Sequence, residues 1–273
     1  MRELLQCIRA FLVRDFQVES SYRLAFVLQG LGLFVSSTLW YFIAGVFGGT
    51  RNPDLAEAMG NVGYFPFVLV GLMVNRFQEV SLNAYAAQIR QEQTTGTLEA
   101  MLVTPARLGH LMLAASSWSY LMAGMQSAMY LVFGVFVFGV ELDPGNLLGA
   151  LLAVVLTAAA VSGIGILSAA FVLYFKRGNP VNFVISATSA LFGNIFFPSQ
   201  MLPDSLSWLA RFVPLSYASN AVRGALLRGA SLAQLAPDLL ALAAFAAVLM
   251  PAGLFGARLA IRRAKREGTL VQY

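Results

Sequence analysis

Arg76 and Glu79 stand three residues apart in the segment GLMVNRFQEV, whose other residues are mostly apolar. At helical spacing the two share a face and can pair. An ionisable group inside a membrane span is a candidate for a pathway or gate. The same pair also fits a structural role, with both side chains reaching toward water near the membrane edge. Gln126, Asn182 and Asn194 are uncharged polar groups in long apolar stretches; they either line a path or bond one helix to another. His110 is the only histidine and has no acidic neighbour in sequence. Membrane catalysis wants paired carboxylates or a histidine cluster, so no catalytic residue is expected. Cys7, the single cysteine, excludes an internal disulfide or a thiolate cluster, and no metal site is expected.

The densest polar chemistry lies in QEQTTGTLEAMLVTP, residues 91–105. Gly96 predicts the end of one helix, and Thr95 or Thr97 can cap the next. Leu98 and Leu102 are four apart and form an apolar edge that a groove can hold. Glu92 and Glu99 offer carboxylates to basic groups on a partner. Pro105 stops the short helix before the chain turns apolar again. The plainer alternative is a solvated loop.

The elements that position these residues follow from composition. Of 273 residues, 58% are hydrophobic and 11% charged, with mean hydropathy +0.71. A soluble domain carries about 25% charged residues, so the chain belongs to the membrane class. Six charge-free windows, 24–50, 58–75, 108–140, 144–175, 178–203 and 239–257, predict six transmembrane helices, placed at about 23–48, 62–91, 108–138, 147–174, 181–197 and 237–257. No alternation of the strand-barrel kind is present. Thirteen of the eighteen Lys and Arg residues fall on one set of ends and connections, including Arg90, Arg107, Lys176, Arg177 and the cluster from Arg258 to Arg266. Arg51, Arg211, Arg223 and Arg228 fall on the other. This asymmetry puts both termini, and residues 94–104, on the cytoplasmic side. The net charge of +5 is therefore an orientation signal and implies no nucleic acid.

Residues 1–22 place Leu4, Leu5, Ile8, Phe11, Leu12 and Phe16 on one side at 100° per residue, which predicts an amphipathic helix in the inner interface, or else an extension of the first span. Residues 198–232 are apolar and aromatic, yet Pro198, Pro203 and Pro214 break them. Short helices re-entering the outer leaflet would explain that segment. Residues 258–273 form a basic cytoplasmic tail.

Together these features resemble the permease subunits of type-2 ABC transporters, the ABC-2 or type V exporters, over nearly the whole chain. The residues carrying the resemblance are GTLEAMLVTP between spans two and three and FPSQMLPDSLSWLARFVPLSYASNAVRGALLRG between spans five and six. It implies an all-α membrane protein in which 94–104 is a cytoplasmic coupling helix, with Glu92, Gly96, Thr97, Leu98, Glu99, Leu102 and Pro105 as its docking residues. It also implies an outer lid built from Pro198, Pro203, Trp208, Pro214, Tyr217 and Arg223. The chain contains no G-x-x-x-x-G-K-[ST], so it is not itself an enzyme; ATP and Mg would be bound by a partner ATPase. Family members combine two ATPases with two permease chains, here read as a homodimer in a bacterial or archaeal inner membrane. The substrate expected is hydrophobic or amphipathic: a drug, lipid or lipid-linked molecule, carried outward. A lipid-linked polysaccharide exporter and an ion-driven secondary transporter are the alternatives; the latter would need paired ionisable groups in both halves.

Overall fold

The computed structural model describes residues 2–48, 57–96, 108–143, 145–175 and 180–266. Every regular element among them is helical. Helix α1 is Arg2–Ser20 and α2 is Arg23–Gly48; the turn between them is closed by the amides of Ser21 and Tyr22 on the carbonyls of Val18 and Glu19. Helix α3 is Tyr64–Thr94 and α4 is Leu108–Val132, which runs into a wide π turn over Phe133–Val137. Helix α5 is Leu147–Phe175, α6 is Pro180–Phe192, α7 is Pro214–Leu227 and α8 is Leu232–Arg266. Single turns at 199–201, 204–207 and 208–212 link α6 to α7.

The helix starts carry their own signals. Asn146 caps α5, its Oδ1 accepting the Gly149 amide at 2.9 Å. At α8, Gln234 reaches back to accept the Ser231 amide at 2.8 Å, the reciprocal half of a capping box. Pro214 opens α7 at the first helical position, where its missing N–H costs nothing.

Helix α5 is apolar all the way round, as a helix set between protein and lipid must be; one side lies among α3, α7 and α8, while Leu148, Leu151 and Val155 face outward. Lipid supplies no hydrophobic drive between helices, so association depends on close contact of small residues. A Cβ on Gly163 would overlap the α8 backbone at Leu249, and one on Gly253 would overlap the backbone of Gly163. Gly165 meets the Ser81 carbonyl of α3 in the same way. Leu69, Val70 and Val74 of α3, Leu215 and Val222 of α7 and Leu242 of α8 complete the core. Helix α2 instead turns Leu24, Val27, Leu31 and Phe42 outward.

Four helical stretches are long and apolar enough to cross a membrane: Arg23–Val46, Leu113–Val137, Leu147–Phe171 and Leu232–Ala260. Helix α3 has the length but carries Asn75, Arg76, Gln78, Glu79 and Asn83 along it. The expected span 181–197 is corrected more sharply. Its helix ends at Phe192, so its 13 residues reach only about 20 Å at 1.5 Å each, against a hydrocarbon core of about 30 Å. Asn194 adopts φ +58°, and Gly193 is packed between the Ser189 carbonyl and Leu215; the chain bends there. The last helix is longer than the expected 237–257 at both ends.

Candidate functional site

Three polar regions sit along this frame. The first is the end of α3. Glu92 is only 4% exposed, and its Oε1 accepts from Arg14 Nη1 at 3.1 Å and from Gln88 Nε2 at 2.6 Å. Expected to face a partner, Glu92 is instead held within the chain and ties α3 to α1. Arg14 also reaches Asp15 at 2.8 Å. Burial works against its charge, but the carboxylates of Asp15 and Glu92 outweigh that and hold its pKa above the ordinary arginine value. Thr94 and Thr95 fold their hydroxyls onto the Gln91 carbonyl. Gly96 then takes φ +72°, the left-handed conformation that glycine adopts after a helix end. Thr97, Leu98, Glu99, Leu102 and Pro105 lie outside the described residues.

The second region is midway along α3. Arg76 and Glu79 do pair, Nη1 to Oε2 at 2.5 Å, with both side chains about a third exposed. Asn75 Nδ2 donates to the other Glu79 oxygen at 2.9 Å. The guanidinium also forks onto Gln126 Oε1 of α4, from Nε at 2.9 Å and Nη2 at 2.6 Å. Arg76, Glu79 and Gln126 are thus one cluster, in which Gln126, singled out on its own, joins the expected Arg76–Glu79 pair. Asn182 joins α6 to the same helix further on, donating to the Leu82 carbonyl at 2.7 Å and to Asn83 Oδ1 at 2.8 Å.

Sequence reasoning missed a neighbouring network. The Tyr120 hydroxyl of α4 bonds Ser81 of α3 at 3.0 Å and Ser162 of α5 at 2.6 Å, and Tyr85 donates to Ser162 at 3.1 Å. It stitches three helices together. Its only signal in the sequence is Ser and Tyr in apolar runs, which single helices satisfy in many ways.

The third region is the proline-broken segment. Pro198 is buried and Pro203 exposed. Trp208 and Phe212 are exposed at 52% and 68% and pack edge to face at 5.9 Å. Trp208 Nε1 donates to the Ser205 carbonyl and the Tyr217 hydroxyl to the Arg211 carbonyl. Behind this apolar face, Arg223 of α7 is 4% exposed. Its Nε and Nη2 donate to the Phe67 carbonyl of α3 at 3.0 and 2.8 Å, and Nη2 to the Ile195 carbonyl at 3.2 Å. The guanidinium also lies 3.5 Å from the centre of the Phe67 ring. Asn194 Nδ2 donates to Asn220 Oδ1 at 2.5 Å. The segment is therefore pinned to α3 and to the bend after α6.

A family model described as ABC-2 type transporter matches residues 4–227, which takes in α1 through α7. No individual curated protein matches the chain.

Proposed function

The chain belongs to the ABC-2 type transporter family, and from that premise, which makes it a multi-pass membrane permease with an ABC ATPase partner, we propose that it is the membrane-spanning subunit of an exporter. The ATPase grips residues 94–104, and the grip moves the helices that follow and precede it. One observation carries this reading. Helix α3 runs unbroken from Tyr64 to Thr94, and at the very end where residues 94–104 begin it is clamped to α1 through Glu92 and Arg14. A push delivered there would travel along α3 to the Arg76 cluster without being absorbed by a hinge.

In this reading the chain crosses the membrane six times, α3 and the short α6 being the two polar or abbreviated crossings. Gln126 and Asn182 bond these polar stretches to neighbouring helices. Both termini are cytoplasmic, two permease chains form the path, and two ATPases hold ATP and Mg. Glu99, Thr97, Leu98, Leu102 and Pro105 form the gripping surface, with Glu92 and Gly96 setting its base. The turns at 198–213 with α7 form the outer lid, and Arg76, Glu79 and Gln126 the gating cluster. Exposed apolar side chains favour a hydrophobic or amphipathic cargo carried outward.

The test is to replace Glu99 by Ala, and separately Gly96 by Val, in the assembled transporter. The expected outcome is ATP hydrolysis that no longer drives transport, with insertion and assembly intact. Normal transport by both variants would overturn the lever.

A further inference from the structure

Arg223 carries a full charge at a site where no described carboxylate bonds it. Three of its contacts use Nε and Nη2, and all go to carbonyl oxygens. Nη1 is buried and has no partner. Carbonyl dipoles satisfy N–H groups but do not neutralise a charge, and an uncompensated buried cation is costly. Arg223 also lines a cavity of 220 Å³, whose wall includes Asn194, Gln200, Asn220, Arg228 and Asp238. At about 30 Å³ of liquid volume per water it has room for roughly seven, enough for a phosphate group with water around it. The wall carries two guanidinium groups against one carboxylate, a surplus of one positive charge.

The second cation is placed by the backbone. Gly60 turns at φ +72°, and a Cβ there would come within 3.1 Å of Arg228 Nη1, so Arg228 lies over that turn. Asn194 contributes as well. Its Oδ1 is buried without a partner while its Nδ2 bonds Asn220. Turning both amides over keeps their mutual bond and brings an N–H of Asn194 to the orphaned position. Arg223, the amide-bearing Asn194 and Asn220, and the rim cation Arg228 all line this one cavity.

We infer that this cavity, enclosed by α3, α7, the start of α8 and the 199–201 turn, binds a phosphate-type oxyanion, with Arg223 and Arg228 as its cationic ligands. The inference goes beyond the transport reading and does not require it. The anion would balance the Arg223 charge and fasten the proline-broken segment to α3 and α8. A free phosphate and the headgroup of a phospholipid share this chemistry.

The test uses the purified, delipidated full chain in detergent with no ATPase present, so that its failure is separable from failure of export. The unfolding temperature is followed while titrating inorganic phosphate, dihexanoyl-phosphatidylglycerol and, as the phosphate-free control, dihexanoylglycerol. The expected result is a saturable rise with a phosphate-bearing probe and none with the control. A response to both phosphate probes assigns the free anion as sufficient; a response to the lipid alone assigns the headgroup. Arg228→Gln, at the exposed rim, should weaken binding about tenfold, the loss of one charge-assisted contact. Asn220→Asp still accepts from Asn194 and supplies the missing negative charge, so it should raise the unfolding temperature without ligand and abolish the response. Equal stabilisation by the control, or no response to either phosphate probe, would overturn the site. So would wild-type responses in both variants, which would mean that water alone fills the cavity.

Discussion

Arg76 and Arg223 both stand on helices among apolar residues, and the protein holds them in opposite ways. Arg76 is about a third exposed and spends its donors on a carboxylate and an amide oxygen. Arg223 is 4% exposed and gives Nε and Nη2 to two main-chain carbonyls, with an aromatic ring beneath it and Nη1 unpaired. The first arrangement neutralises charge cheaply and can come apart, because water can replace either partner. The second cannot be exchanged for water without opening the packing between α3, α7 and the bend at 193–197. A mobile gate wants the first kind of contact; a fixed seam wants the second.

The difference can be broken most directly at Arg223. Arg223→Ala strands the buried Ile195 carbonyl, an unsatisfied acceptor costing about 1–3 kcal/mol, leaves a cavity where the side chain packed, and removes the stack on Phe67, whose carbonyl stays bonded within α3. Relief of the buried charge offsets part of this. The expected net loss is about 3 kcal/mol, read as a lower unfolding temperature of the purified protein in detergent. A gain in stability would reverse the comparison, making the charge the dominant liability.

A smaller effect is expected at Gly71 of α3, opposite the same guanidinium. A Cβ there would lie 2.6 Å from the Ile195 carbonyl oxygen and 2.8 Å from Arg223 Nη2. The overpacking costs about 2–3 kcal/mol, and the better helix propensity of Ala returns about 1 kcal/mol. Gly71→Ala should therefore lose about 1–2 kcal/mol by the same measurement. Combined with Arg223→Ala it should cost less than the sum, since both act on one contact.

The smallest effect belongs to the other arginine. Glu79→Gln keeps an acceptor for Arg76 and removes a half-exposed ion pair, worth about 0.5 kcal/mol or less. Its unfolding temperature should stay near wild type. Transport turnover should change instead, if the pair opens and closes during the cycle. A loss of stability as large as that of Arg223→Ala would erase the distinction between gate and seam.

Much of this was legible in the linear pattern, and the reasons differ by residue. The helix starts at Arg23 and Leu147 lie within a few residues of the edges of charge-free windows, because burying a charge in lipid is a large local cost. The pairing of Arg76 with Glu79 follows from helical spacing alone. Gly96 was readable as a helix end because its positive φ is a backbone property that few other residues tolerate. Pro198, Pro203 and Pro214 announced a broken segment, though nothing local said that Arg223 would be drawn under it.

What the sequence alone determined is therefore the membrane class, the amphipathic first helix, the order of long apolar segments and the position of the polar stretch at 91–105. These depend on hydropathy and backbone geometry, which act over a few residues. Only the tertiary structure decided that Glu92 turns to Arg14, 78 positions away, that Gln126 completes the Arg76 cluster, and that the helix after Pro180 stops at Phe192. It alone buried Arg223 against Phe67, 156 positions distant. Each of these is a choice among many partners of equal local merit, and it is made by which glycine-lined helix faces can approach closely enough to bring two side chains together.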